Sequence, residues 1–309
     1  MNLTSAIMMI RPLNFNYNEE TAVNNKFQQV TSGADMQTIA LNQFEGFVSL
    51  LEDHDVDVHV FEDTKDPIKP DAIFPNNWLS FHEDGSLVLY PLFAKNRRKE
   101  RRRDIIDLLS ASYELKNIID LTHFEQKQLF LEGTGSMVLD RKHHIAFMCK
   151  SPRSSTAVLY EFCKRMDYKP IYFEASDRNG FPIYHTNVMM CVGNDFAVIC
   201  KDALTSSTDK EKVIKSLTQT GKEIVDISFG QMEHFAGNMI QLKNKLNQAL
   251  LVMSEQAYLS LHKEQRTCLK KRAQLLYAPL DVIEKNGGGS ARCMITEIFS
   301  PPKKRYLTT

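Results

Sequence analysis

Net charge is the first thing this sequence is without. Its 309 residues carry 38 basic and 38 acidic side chains. A chain so balanced does not hold nucleic acid by bulk charge. With 43% hydrophobic and 25% charged residues it is neither a disordered tail nor a collagen. Glycine and proline, 13 and 11, are scattered and form no low-complexity linker. No apolar run approaches the roughly 18 residues needed to span a bilayer. The opening MNLTSAIMMIRP lacks the basic start and the long apolar centre of a secretion signal. Cysteine is sparse, at 149, 163, 191, 200, 268 and 293, with no two-residue spacing of the zinc-ribbon kind and far too few for a disulfide scaffold. These absences lead to the expectation of a reduced, cytoplasmic protein with no membrane span and most cysteines in the core. The length allows one large domain or two of average size.

What is present is a succession of short β-like runs. Ala6–Ile10, Asp57–Phe61, Leu87–Leu92, Ser136–Asp140, His144–Cys149, Ile171–Phe173, Val188–Val192, Phe196–Ile199, Met239–Leu242 and Leu250–Met253 are bounded by Gly, Asn, Asp or Pro. Between them, apolar residues recur at three- and four-residue intervals. Ala22–Glu52 shows this through Phe27, Val30, Ile39, Leu41, Phe44, Phe47 and Leu51. Arg101–Leu109, Ser155–Met166, Asp209–Thr218 and Ser254–Leu261 read the same way. Hairpin signals at Glu83-Asp84-Gly85, Val192-Gly193-Asn194-Asp195 and Lys243-Asn244-Lys245-Leu246 join neighbouring strands. The pattern predicts an α/β fold of repeated strand-pair-plus-helix units rather than a doubly wound sheet. The basic run Arg97–Arg103 reads as a solvated helix start, with contact of one arginine to an anion or substrate as the alternative.

Four stretches could carry chemistry. In Asn286-Gly287-Gly288-Gly289-Ser290-Ala291-Arg292-Cys293, three glycines would let main-chain N–H groups converge, and a thiol beside Arg292 could be stabilised as thiolate. The alternative is a flexible loop with a buried cysteine. In Leu131-Glu132-Gly133-Thr134-Gly135 the carboxylate is either a turn residue or an acid that orients a histidine. In Tyr184-His185-Thr186-Asn187, entering an apparent strand, alternation puts His185 and Asn187 on one face. Ile73-Phe74-Pro75-Asn76-Asn77-Trp78 holds the only tryptophan. Each is weak alone. A glycine-loop cysteine, a histidine and a buried glutamate together are the parts of thiol catalysis.

In the order Glu132, His185, Cys293, this set resembles the guanidine-modifying enzymes: arginine deiminase, dimethylarginine dimethylaminohydrolase, agmatine deiminase and amidinotransferase. LEGTG is similar to that superfamily's LEGGD, YHTN to its His-x-Asp, GGGSARC to its GGG-x-x-C, and FPNN to its Phe-x-x-Asp element. DAIFPNN is also similar to a segment of the dimethylarginine hydrolases, and IRPLNFNYNEETAVNN points to the citrulline utilization hydrolase branch. The resemblance covers nearly the whole chain. It implies the pentein fold, an α/β propeller of about five ββαβ-type units around a pseudo-fivefold axis, as a single catalytic domain over residues 1–309. It implies Cys293 as nucleophile, His185 as acid and base, Glu132 as its orienting carboxylate, and no metal or organic cofactor. Arg153, in Ser151-Pro152-Arg153-Ser154, resembles the arginine that holds a substrate α-carboxylate, with Arg97 as a second. Asp71 would take the α-ammonium or a ureido N–H, and Asn14–Glu20 would contribute to a lid.

The chain departs from the superfamily pattern where the guanidinium is gripped. Asn77 and Asn187 stand at the positions of two aspartates. A cation buried between two neutral amides loses its paired charges, whereas an amide offers a urea both acceptor and donors. The expected activity is hydrolysis of the ureido group of citrulline to ornithine, carbon dioxide and ammonia through a covalent thio-intermediate, with Met294 and neighbouring backbone N–H groups or the Asn amides holding the oxyanion. Succinylarginine dihydrolase, similar in using Asn, acts on a guanidine, so arginine or methylarginine hydrolysis is the alternative. Amidinotransfer and a non-catalytic binding pentein come after it. The implied partner is a small amino-acid substrate, and the sequence does not fix whether the chain forms homo-oligomers.

Overall fold

A computed structural model describes residues 3–29 and 35–303. The sequence-predicted helical position Val30 lies outside these. Five sheets, each of three strands, account for the strands. In chain order the first elements are β1 (Ala6–Arg11), α1 (Met36–Glu52) and β2 (Asp57–Glu62), followed by β3 (Leu79–Phe81), β4 (Ser86–Leu89), α2 (Arg103–Ser112) and β5 (Asn117–Asp120). Next come β6 (Val138–Asp140), β7 (Ile145–Cys149), α3 (Thr156–Met166) and β8 (Lys169–Phe173), then β9 (Met190–Val192), β10 (Phe196–Ile199), α4 (Ser207–Gln219) and β11 (Glu223–Asp226). The chain continues through β12 (Ile240–Lys243), β13 (Ala249–Ser254), α5 (Glu255–Ser260), α6 (Lys263–Lys270), β14 (Gln274–Ala278), α7 (Asp281–Gly287) and β15 (Thr296–Ile298).

Each unit repeats one plan. An antiparallel pair is followed by helix and by a third strand parallel to the second, as in β3-β4-β5 and β6-β7-β8. The crossover needs the helix, because parallel neighbours cannot be joined by a tight turn. The fifth unit is assembled from both ends of the chain: β15 pairs antiparallel with β1, Ala6 opposite Ile298, and β1 pairs parallel with β2. First strands of neighbouring units pack on one another, β15 on β3, β6 on β9 and β9 on β12, so they line the axis. The helices cover the outside. Helix α1 buries Ala40, Phe44, Phe47, Val48 and Leu51, the face set by its three- and four-residue spacing.

Strands β3, β5, β11, β14 and β15 are additions to the sequence reading. Strands β3 and β15 are three residues long. Strands β5 and β11 are four-residue sheet edges, β5 mostly exposed and β11 exposed at both ends, so neither shows the apolar alternation that marks a longer half-buried strand. The three hairpin signals do join antiparallel neighbours. The apparent strand Val188–Val192 is a correction: Thr186–Met189 is a helical turn, and β9 begins only at Met190. His185 caps that turn, so it does not share a strand face with Asn187.

Because β15 completes the fifth sheet and buries Ile295 and Ile298, a chain ending at Met294 is expected to lose its cooperative unfolding transition. Calorimetry or circular dichroism checks this, and a retained sharp transition would contradict it.

Candidate active site

The turn that precedes the first strand of each unit lies at the axis, and each of these turns delivers a side chain. Asn77 ends the turn Pro75–Asn77 before β3, Glu132 caps the turn Gly133–Ser136 before β6, and His185 with Asn187 opens the way to β9. Asn238 precedes β12 and Cys293 precedes β15. A narrow void, nearly filled by its own lining, brings together Asp71, Phe74, Asn77, Arg97, Arg153, Tyr184, His185, Gly287–Gly289 and Cys293, with Thr21 and Asn25.

Glu132 is wholly buried and fully engaged. Its Oε2 lies 2.8 Å from His185 Nε2 and 3.5 Å from Arg153 Nη1, and its Oε1 accepts the Phe93 N–H at 2.9 Å. Burial pushes this carboxyl up, but Arg153, the hydrogen bond from His185 and Arg97 outweigh that and hold it well below the usual carboxylate range. His185 is pushed down to about 4, chiefly by burial; Glu132 opposes the shift, and Arg153 and Arg97 add to it. The imidazole is therefore neutral at pH 7, with Nε2–H on Glu132 and Nδ1 turned to the site. The ring of Tyr184 lies beside that of His185, centroids 4.6 Å apart, and its hydroxyl donates to the Gly288 carbonyl.

Cys293 Sγ, 3% exposed, accepts from the amides of Asn187 at 3.4 Å and Asn238 at 3.3 Å. Asn238 also donates to the Asn187 carbonyl at 2.9 Å and accepts the Arg292 N–H at 3.0 Å, so one amide ties the histidine turn to the cysteine turn. The expectation that loop N–H groups converge on the thiol is corrected. The N–H groups of Gly288, Cys293 and Met294 are spent on Glu284, Ser290 and Ala291 carbonyls within the loop. The glycines instead let neighbours close in: a Cβ on Gly288, at φ +63, would lie 2.4 Å from Asn25, and one on Gly289 2.9 Å from Phe74. Arg292 does not face the sulfur either; it pairs with Glu297 at 2.7 Å.

The two asparagines are not equivalent. Asn77 lines the void, accepts from Arg97 Nη1 at 2.7 Å and has its Nδ2 3.5 Å from the Glu132 carbonyl. Asn187 reaches the sulfur from the opposite side and lines a second cavity with Thr134, Arg141, Arg292 and Glu297; its Oδ1 is buried without a partner among the described residues. Arg97 is no solvated helix residue. It is 2% exposed, bonded by Nε and Nη2 to Glu100 at 2.8 Å, by Nη1 to Asn77 and by Nη2 to the Asp71 and Phe74 carbonyls. Its guanidinium is thus used by the protein. Of the other basic residues in the run, Lys99 and Arg103 are exposed, while Arg98, Arg101 and Arg102 are half-buried; Arg98 and Arg101 pair with Glu125 and Arg103 with Asp107.

A strap from the N-terminal part of the chain roofs the void. Thr21 C=O accepts from Arg153 Nη2 at 2.6 Å, Asn24 Oδ1 from Arg153 Nε at 2.7 Å, and Asn18 donates to Asp71 at 2.8 Å. The sequence-predicted lid Asn14–Glu20 covers only the beginning of this strap. Thr21, Asn24, Asn25 and Tyr184 went unread because isolated polar residues in a connection carry no periodic signal. Among the described residues one buried oxygen of Asp71 has no partner, and burial raises its carboxyl against the pull of Arg97. Among the described residues no group of three or more His, Cys, Asp or Glu is placed to hold a metal ion, and no helix is long and apolar enough to cross a membrane. Cys149, Cys163, Cys191 and Cys200 are buried and Cys268 is half-buried beside Glu223.

Residues 11–300 match the family model described as eukaryotic N,N-dimethylarginine dimethylhydrolase. The chain belongs to this family of hydrolases. No curated protein matches it. Among solved structures it is similar to ArgZ, an arginine dihydrolase of the ornithine-ammonia cycle in cyanobacteria, at 16% identity and TM-score 0.75, covering 97% of this chain and 41% of that one. The chain thus spans less than half the length of that neighbour. It covers 96% of itself and 98% of the isolated N-terminal domain of ArgZ bound to substrate, at TM-score 0.74 and 16% identity. A dimethylarginine dimethylaminohydrolase solved as an adduct with S-methyl-L-thiocitrulline follows at 11% identity and TM-score 0.63, covering 96% of this chain and all of that one. These neighbours establish the fold as the pentein propeller.

Two outcomes check the geometry. A methyl group on Gly135 would lie 2.4 Å from Asn77 Nδ2 and 2.7 Å from His185 Nδ1, so Gly135→Ala is expected to lower turnover by at least about a hundredfold while the chain still folds. Between about pH 6.5 and 4 the folded chain leaves His185 neutral while the unfolded chain protonates it. This group's contribution to stability is therefore present above pH 6.5 and lost as the pH falls through that window. Carbon-13 NMR of the His185 ring is expected to show no titration between pH 8 and 5, and a midpoint near 6.5 would refute the neutral assignment.

Proposed function

We propose that this chain, acting as one catalytic unit, is a cysteine hydrolase of the ureido group of citrulline, the reaction assigned to the citrulline utilization hydrolase branch. The observation that carries the reading is the absence of a free carboxylate at the reacting end of the void. Asn77 and Asn187 are amides, Glu132 is saturated by His185, Arg153 and the Phe93 N–H, and Arg97 sits on Asn77. A guanidinium placed there would meet a like charge with no acid to pair with it. A urea meets an Nδ2 donor from Asn77 for its oxygen.

The other end of the void suits an α-amino acid. Thr21 bonds Asp71 through its hydroxyl at 3.2 Å and Arg153 through its carbonyl at 2.6 Å. One residue thus bridges the two opposite charges, as a carbon bearing both an ammonium and a carboxylate would. On this reading the substrate head group replaces the strap's contacts, its carboxylate taking the Arg153 fork and its ammonium the unpartnered Asp71 oxygen. Arg97 then positions Asn77 rather than binding substrate directly.

In the proposed reaction the Cys293 thiol passes its proton to His185 Nδ1 and its sulfur bonds the ureido carbon. Asn77 Nδ2 stabilises the developing oxyanion, and Met294 does not, its N–H being spent inside the loop. The bond to the δ-nitrogen breaks, that nitrogen takes the proton from His185, and ornithine leaves. Water then gives a proton to Nδ1 and adds to the S-carbamoyl carbon, releasing the thiol and carbamic acid, which falls to carbon dioxide and ammonia.

The second reading is arginine hydrolysis, favoured by the likeness to an arginine dihydrolase. Assaying ornithine and citrulline from separate incubations with citrulline, arginine and methylated arginines decides between them: ornithine released fastest from citrulline is expected, and preference for a cationic substrate would overturn the proposal. Cys293→Ala is expected to abolish turnover and covalent adduct. Asn77→Asp, which keeps the Arg97 bond and loses the amide donor, is expected to lower kcat on citrulline by about a hundredfold to a thousandfold.

A further inference from the structure

We propose that Glu284 is a positioning residue for the nucleophile, acting on Cys293 through Ser290; this rests on Cys293 being the nucleophile. Glu284 is 1% exposed and, among the described residues, has no basic partner within ion-pair distance. Its two oxygens instead accept from side chains of different elements, Oε1 from Ser290 Oγ at 2.5 Å and Oε2 from Gln256 of α5. Its main chain works on the same loop, since its carbonyl accepts the Gly288 N–H at 2.9 Å where α7 ends. Ser290 passes the constraint on: its carbonyl accepts the N–H of Cys293 at 2.9 Å and of Met294 at 3.3 Å.

The cysteine turn is therefore held from two sides. Asn238 fixes Arg292 and the sulfur from the histidine side, and the Glu284–Ser290 pair fixes the start of the turn from the helix side. Glycines at 287, 288 and 289 cannot supply this rigidity themselves, because a run of them leaves the backbone with the widest choice of conformations. An ordered side chain immediately after the run, anchored to a buried carboxyl, removes that choice where it matters. Small displacements of a reacting atom cost turnover far more than they cost binding.

The test compares Ser290→Ala, Glu284→Ala and Glu284→Gln in the full chain, with kcat and KM for the turned-over substrate and the rate of Cys293 alkylation by iodoacetamide. Ser290→Ala and Glu284→Ala are expected to lower kcat about tenfold to a hundredfold with KM within about twofold, and to change the alkylation rate. Glu284→Gln is expected to recover most of the activity, because its amide oxygen still accepts from Ser290 and the Gln256 amide can turn to match. If Glu284→Ala does not fold, Ser290→Ala, which removes one hydroxyl, decides. Unchanged kcat and alkylation in Ser290→Ala, or a rise in KM alone, would overturn the proposal. Should no ureido or guanidino compound be turned over, the proposed function fails, while the alkylation rates still read the positioning.

Discussion

Five charged groups are buried together at the axis, and the site's geometry depends on their mutual compensation. Asp71, Glu100, Glu132, Arg97 and Arg153 are each 3% exposed or less. Taking any one of them out of water alone would cost several kcal/mol. They are tolerated because the signs alternate: Arg97 touches Glu100 and Asp71 and comes within 4.0 Å of Glu132, and Arg153 reaches Glu132 from the other side. Burial pushes the Glu100 carboxyl up against the pull of Arg97, whose Nε and Nη2 occupy both of its oxygens. The geometry of Asn77, His185 and the strap follows from where these charges must sit.

The pentein plan explains how such a cluster is assembled from distant segments. Every unit begins with a turn at the axis, and a turn exposes side chains without committing them to a sheet face. Glu132 and His185 are 53 residues apart and Asn187 and Cys293 are 106 apart, yet each pair is in hydrogen-bonding contact. Repetition brings the turns together; the glycines let them touch. Gly135 gives Asn77 and His185 their space, and Gly237 admits the Val188 carbonyl, which a Cβ there would approach to 2.3 Å. The strap does the complementary work from outside, joining Arg153, Asp71 and the Gly288 carbonyl through Thr21, Asn18 and Asn25.

Much of this could be read from the sequence, for reasons that differ by element. The middle strands β1, β7, β10 and β13 are buried and apolar, so they stand out; the short edges β5, mostly exposed, and β11, exposed at both ends, do not. Glu132, His185 and Cys293 lie in glycine- or motif-bearing turns and could be grouped by the chemistry they share. What could not be read was direction. The basic run gave no sign that Arg97 turns inward while Lys99 and Arg103 turn outward, because burial of an arginine depends on acids such as Asp71 and Glu132 brought from other segments. Likewise the glycine run promised amides aimed at sulfur, but helix α7 extends to Gly287 and takes up the Gly288 N–H, the Cys293 N–H bonds within its own turn, and the sulfur is held by Asn187 and Asn238. The structure also splits the two asparagines that seemed a matched clamp.

That split sharpens the question of substrate charge. Asn187 bonds the sulfur, so on the proposed reading recognition at the reacting group falls mainly to Asn77, which a guanidinium holds. On the proposed reading a cationic group beside Arg97 would find the neighbouring acids already engaged, Glu100 and Glu132 by guanidiniums and Asp71 in part by Asn18 and Thr21. Glu132 is close but satisfied, and the spare oxygen of Asp71 lies at the end of the void that the strap's Thr21 also reaches. A neutral group avoids the conflict without any change in the charge balance of the cluster. In the proposed reaction the neutral imidazole takes up one proton and returns it to the leaving nitrogen, and Glu132 steadies the ring while it is briefly charged. On that proposal specificity and proton transfer draw on one feature, a buried cluster whose charges are largely paired before substrate arrives.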